Sequence, residues 1–122
     1  MAYHVSAQDF ERIAGEALKS VPEPLRARME ADNVMITVRS DAGADEADDS
    51  DERLLGFYED SGDSTFSPYA YPKRIVLMQR HIERWCRTRS ELVAQITDTV
   101  LHEVAHYFGM SHEDMRSTRL NQ

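Results

Sequence analysis

Cysteine is almost missing from this chain: Cys86 is the single one among 122 residues. One thiol rules out an internal disulfide and any cysteine-based zinc ribbon, and Cys86 itself reads as a packed thiol on a helix. Long apolar runs are missing too. No stretch approaches the ~20 residues of a membrane-spanning helix. Met1 to Phe10 carries polar and acidic side chains where a secretory leader needs an apolar stretch. No membrane association is expected, and the expected location is cytoplasmic. Positive charge is scarce, with 14 Lys and Arg against 22 Asp and Glu and a formal charge of −8. Such a surface repels phosphate backbones, so no nucleic-acid partner is expected. Internal repeats are absent.

What remains is enough for one globular domain spanning 1–122, since a chain of this length buries a sizeable core unaided. Apolar residues make up 41% and charged residues 30%, ordinary values for a soluble protein. Ser6 is a candidate helix N-cap. Phe10, Ile13, Ala14, Ala17 and Leu18 recur at helical spacing behind it, predicting an amphipathic helix over about 7–19. Pro22 and Pro24 interrupt that pattern, and Pro24 suits the first turn of a short helix reaching about Ala31. From Asn33 to Arg39 the residues alternate, with Val34, Ile36 and Val38 on one face, as in a half-buried strand.

The stretch Asp41 to Glu52 holds seven carboxylates among Ala, Gly and Ser. Like charges at that density repel, so 41–52 reads as a flexible acidic loop; the functional alternative is a lure for basic peptides or cations. Leu54 to Glu59 reads as a second strand, and its Gly56 suggests a bulge or a close backbone approach. Phe66, Tyr69 and Tyr71 follow in a loop with Gly62, Pro68 and Pro72, either covering a core edge or lining a cleft. Arg74 to Gln79 is a strand candidate whose continuous apolar run suggests burial over most of its length. A helical pattern with Ile82 and Trp85 on one side begins at Arg80. Thr88 and Glu91 then have capping-box spacing. A long helix should run from about Glu91 to Phe108, with Gly109 as its C-terminal cap.

That helix carries the chemistry. His102-Glu103-Val104-Ala105-His106-Tyr107-Phe108-Gly109-Met110-Ser111-His112 reads H-E-x-x-H-x-x-G-x-x-H. His102 and His106, four apart, share one face one turn apart and can hold one ion together. Val93, Ile96, Val100 and Val104 form the stripe expected to face the core, while Gln95, Thr99, His102 and His106 fall on a separate, more polar one. Glu103 projects about 100° from His102, beside the ion but free to carry a proton. Gly109 lets the chain reverse and return His112 as a third ligand. Three neutral imidazoles leave a fourth zinc position open for water, the pattern of a catalytic centre rather than a structural one. Asp98, one turn before His102, and Thr99 are candidates to orient an imidazole; helix-surface roles are the alternative.

This motif resembles the metzincin zinc signature. At this length the chain is similar to the small bacterial zincin-like metallopeptidases, minimal metzincins with the motif near the C-terminus and an aspartate or histidine as third ligand. The matching stretches are Leu54 to Glu59, Arg74 to Gln79 and Thr99 to Met110, and loosely the likeness runs from Leu54 to Leu120. The resemblance implies a zincin-like α+β fold: a small mixed or antiparallel sheet packed on a long active-site helix, with N-terminal helices. It implies one Zn2+ and a peptidase in which Glu103 activates a zinc-bound water. It further implies an edge strand near Arg74–Gln79 able to pair with an extended peptide or small protein substrate. Zincins with a glutamate as third ligand draw it from a later helix. Only ten residues follow His112, with Glu113 and Asp114 their only carboxylates, so His112 is the expected ligand. Met115 stands too close to His112 for an ordinary Met-turn, and no large C-terminal subdomain follows, so a shallow cleft is expected.

Two other readings compete. One is a non-catalytic zinc-binding protein of the same fold, which would have no use for Glu103. The other is a three-histidine zinc endoribonuclease, whose signature carries glycine where Glu103 stands. A basic stretch containing Lys73, Arg74, Arg80, Arg84, Arg87 and Arg89 could serve RNA, but a solvated face or pairing with the acidic loop is the more usual explanation.

Overall fold

The computed structural model describes residues 2–39, 55–60 and 73–109. The acidic loop 41–52, the aromatic segment with Phe66, Tyr69 and Tyr71, and both His112 and Met115 lie outside these residues. The elements run α1 (Ala7–Leu18), α2 (Glu23–Ala31), β1 (Val34–Arg39), β2 (Gly56–Asp60), β3 (Lys73–Met78), α3 (Gln79–Arg84) and α4 (Arg89–Phe108). A small three-stranded mixed sheet with helices around it is the expected α+β architecture. Among the described residues no helix is long and apolar enough to cross a membrane.

Local chemistry sets the helix ends. The Ser6 hydroxyl accepts from the Asp9 N–H at 3.0 Å, satisfying one of the free donors at the start of α1. Pro22 and Pro24 open α2, where a missing N–H costs nothing. Asn33, at φ 61°, turns the chain from α2 into β1 in the left-handed region that Asn tolerates better than most residues.

The strand order is β1–β3–β2, with β1 parallel and β2 antiparallel to β3. This corrects the expectation of an edge strand at 74–79. β3 is the central strand, hydrogen-bonded along both sides, and cannot accept a further peptide. The same apolar run explains its place: Ile75, Val76, Leu77 and Met78 are all buried, as a strand covered on both faces requires. Among the described residues the strands with a single partner are β1 and β2.

The core lies between the sheet, α1 and α4. Phe10, Ile13, Ala14 and Ala17 of α1 meet Leu92, Ile96, Val100 and Val104 of α4 and Ile75 and Leu77 of β3. The apolar stripe of α4 is therefore shifted from the one expected. Val93 is 39% exposed, and fully buried Leu92 takes its place. The two stand about 100° apart around the helix, and Val93 falls inside the arc spanned by Ile96, Val100 and Val104 while Leu92 falls just outside it, so the helical repeat alone does not account for the exchange.

A second, polar cluster ties the N-terminal segment down. The Glu83 carboxylate on α3 is fully buried. It accepts from the Val5 N–H at 3.0 Å and from the Gln79 side-chain amide at 2.9 Å, and meets His4 Nδ1 at 2.8 Å. Gln79 also donates to the Val5 carbonyl, and the Tyr3 N–H donates to Cys86 O at 2.8 Å. Cys86 is buried as expected, just past the end of α3, and burial pushes its thiol pKa up. Part of the basic stretch is committed to structure as well: Arg89 donates twice to Asp9, at 2.8 and 3.1 Å, joining the start of α4 to α1.

Candidate metal centre

α4 is fixed at both ends. The Thr88 hydroxyl accepts from the Glu91 N–H at 3.1 Å, and Glu91 reaches back to accept from the Arg87 N–H at 2.7 Å. At the other end Gly109 adopts φ 66°, the left-handed conformation that closes a helix. Its N–H donates to the His106 carbonyl at 3.1 Å. Both ends follow the expected pattern, and the helix begins two residues earlier than expected.

On this helix the His102 and His106 rings lie 4.3 Å apart, centroid to centroid, edge to face. Both are exposed, while Glu103 between them is 6% exposed. Ligand atoms of His102, Glu103 and His106 all lie within 4.8 Å of one another. Two nitrogens on one tetrahedral zinc stand about 3.3 Å apart, so small side-chain rotations close that span. Two imidazoles with a carboxylate beside them form a donor set that suits zinc. Glu103 Oε1 approaches His106 Nδ1 to 3.6 Å, too far for a hydrogen bond. Among the described residues this carboxylate has no hydrogen-bond partner.

The cluster opens on a cleft of about 410 Å³ lined by residues of α4 and by Leu55 and Gly56 at the start of β2. Gly56 marks a close approach. A Cβ there would lie 2.9 Å from the Val76 carbonyl oxygen and 3.2 Å from Thr99 Cγ2, so only glycine lets β2 sit this near α4. Thr99 is 5% exposed. Its hydroxyl donates to the Gln95 carbonyl at 2.8 Å and accepts from the Gln95 amide at 3.2 Å, so its one hydrogen is used within the helix. Asp98 is exposed and lines the cleft beside His102.

Sequence reasoning missed what holds the far end of this helix. The Tyr107 hydroxyl donates to Asp32 at the end of α2, and Arg28 Nε donates to the same carboxylate at 3.1 Å. The Tyr107 ring packs on Tyr58 of β2, centroids 5.4 Å apart, and Lys73 Nζ lies 5.7 Å from its centre. Burial first, then the bond to Asp32, pushes the Tyr107 pKa up to about 12. The same bond, backed by Arg28, holds Asp32 below its ordinary 3.8. Thus the residue after His106 is anchored to α2 and β2. No local signal reveals this, because Asp32 lies 75 residues away in sequence.

The family model for zincin-like metallopeptidases matches residues 31–121, about three quarters of the chain. A search among curated proteins found no match. The match takes in all three strands and the entire helix with the His-Glu-His cluster. On that extent, with a mixed sheet and a donor set suited to zinc, the chain belongs to the zincin-like metallopeptidases, a family of zinc-dependent peptidases.

Proposed function

We propose that this chain hydrolyses peptide bonds, with His102, His106 and His112 as neutral imidazole ligands of one Zn2+ and Glu103 as the proton carrier. The observation that carries this reading is the state of Glu103. It is nearly buried beside two exposed imidazoles, yet no hydrogen bond among the described residues uses it. Bound zinc supplies two effects, lowering the pKa of a water to about 7 and polarising the substrate carbonyl. Glu103 takes the proton from the attacking water and delivers it to the leaving amine. The family's general activity supports the same reaction. The substrate is a peptide or small protein lying extended in the cleft. Its backbone pairs with β2, which borders the cleft at Leu55 and Gly56 and has β3 as its one strand partner among the described residues.

The test is digestion of a diverse peptide pool read by mass spectrometry, comparing zinc-loaded wild type with Glu103→Ala. Cleavage by wild type alone is expected, with one zinc retained in the variant. A pool left intact by zinc-loaded wild type would sink the peptidase reading. His106→Ala should lose stoichiometric zinc, and a full equivalent of metal in that variant would refute the ligand set.

A further inference from the structure

The metal cleft does not end at Asp98. A second hollow of about 570 Å³ adjoins it along α4, and the two share Gln95 and Asp98 as common lining. Glu91, Gln95, Asp98 and His102 follow one another at intervals of four, three and four, with Ala94 beside Gln95, so one face of α4 runs from the second hollow to the metal centre. Away from α4 the second hollow is lined by Trp85, Cys86 and Arg87, and Trp85 is the single tryptophan of the chain. Trp85 is 60% exposed, although indole is among the most expensive surfaces to leave in water.

The chemistry of this hollow is selective. Glu91 and Asp98 bring two carboxylates against one guanidinium, Arg87, so its local charge is negative. One Glu91 oxygen is occupied by the Arg87 backbone N–H. Asp98 has no hydrogen bond or ion pair among the described residues, which leaves its carboxylate available to a ligand. An indole face is the best aromatic partner for a cation, and a planar guanidinium both stacks on indole and pairs with a carboxylate. The chain's charge of −8 steers cationic peptides toward it.

We propose that the Trp85–Asp98 hollow is a specificity subsite for a basic side chain of the substrate, arginine foremost. The helix fixes how far that side chain stands from the cleaved bond. Asp98 and Ala94 lie about 9 and 15 Å along α4 from the midpoint of His102 and His106, at 1.5 Å per residue. An extended peptide advances about 3.3 Å per residue, so the basic residue sits roughly three to five positions from the scissile bond.

This inference rests on the peptidase reading, so its test measures binding separately from cleavage. Zinc-loaded Glu103→Ala protein is titrated with short blocked alanine-based peptides carrying one internal Arg, Leu or Glu. Binding is followed by Trp85 fluorescence, which has no other tryptophan behind it. The Arg peptide should give a saturable change and bind about tenfold more tightly than the Leu or Glu peptide. Adding Asp98→Asn should remove most of that advantage, and Asp98→Lys should place the Glu peptide ahead of the Arg peptide. Equal midpoints for the three peptides, no saturable change with Arg, or an order untouched by Asp98→Lys would each overturn the subsite. Arg-selective binding with no hydrolysis by wild type would count against the peptidase reading alone. Hydrolysis without Arg selectivity would count against the subsite alone.

Discussion

Glu83 and Glu103 are both buried residues, on the consecutive helices α3 and α4, and their surroundings differ completely. Glu83 is surrounded by the Val5 N–H, the Gln79 amide and the His4 ring. Among the described residues Glu103 meets only His106 Nδ1, at 3.6 Å. A carboxylate taken out of water is stable when donors replace the water. Glu83 meets that condition and secures the N-terminal segment to α3. Glu103 has no such donor among the described residues; its oxygens keep some access to solvent and face two imidazoles and a cleft. Burial alone therefore does not separate a structural acid from one left available for proton transfer; the number of donors already committed to it does.

The comparison is broken if the two residues respond alike to truncation. Glu103→Ala should lower peptide hydrolysis by about 10²–10⁴-fold, the usual contribution of a positioned proton carrier, with little change in melting temperature. Glu83→Ala should do the reverse. It leaves buried donors unpaired, at a cost of about 2–3 kcal/mol, or roughly 10 °C in Tm, while zinc stoichiometry holds. Thermal melts with metal analysis on both variants decide the matter. A stability loss for Glu103→Ala equal to that for Glu83→Ala would show that Glu103 too is structural.

Smaller effects sharpen the contrast between the cleft wall and the helix cap. Gly56→Ala places a Cβ against the Val76 carbonyl, and overpacking there should cost about 1–3 kcal/mol, measured by urea denaturation. Thr88→Ala removes the N-terminal cap of α4, with an expected loss of about 1 kcal/mol by the same measurement. The smallest effect concerns acid. Asp9 is held below its ordinary 3.8, chiefly by the hydrogen bond from Arg89. A depressed folded-state pKa means that the unfolded chain takes up the proton first as the pH falls. The stability from this pair is complete above 3.8 and is lost below it, through the lower folded-state value. Denaturation midpoints for Arg89→Ala should therefore fall less steeply with acid than those of wild type.

Much of this was legible in the sequence. Helical spacing behind Ser6 predicts α1 to within one residue of its end, and Thr88, Glu91 and Gly109 mark both caps of α4. The motif spacing brings His102, Glu103 and His106 together because a helix enforces it. Strand pairing was not legible. A continuous apolar run at 74–79 reports burial, but nothing local says that β1 and β2 flank it. Nor does periodicity reveal that Leu92 is buried and Val93 exposed, because it places Val93 inside the arc of Ile96, Val100 and Val104. The least legible features were the long-range polar contacts. Glu83 with His4 spans 79 positions and Tyr107 with Asp32 spans 75, and such pairs leave no spacing to read.

The capping of α4 at both ends has a consequence for handling the protein. The spacing of two imidazoles is set by a helix that Thr88, Gly109 and the Tyr107–Asp32 anchor hold in place, so their proximity belongs to the polypeptide rather than to the ion. The entropy of gathering that pair is spent during folding, before any metal arrives. On the proposed ligand set, a chelator should therefore strip the ion and leave a standing pincer, and rearming a stripped sample should require zinc alone, without a round of unfolding and refolding.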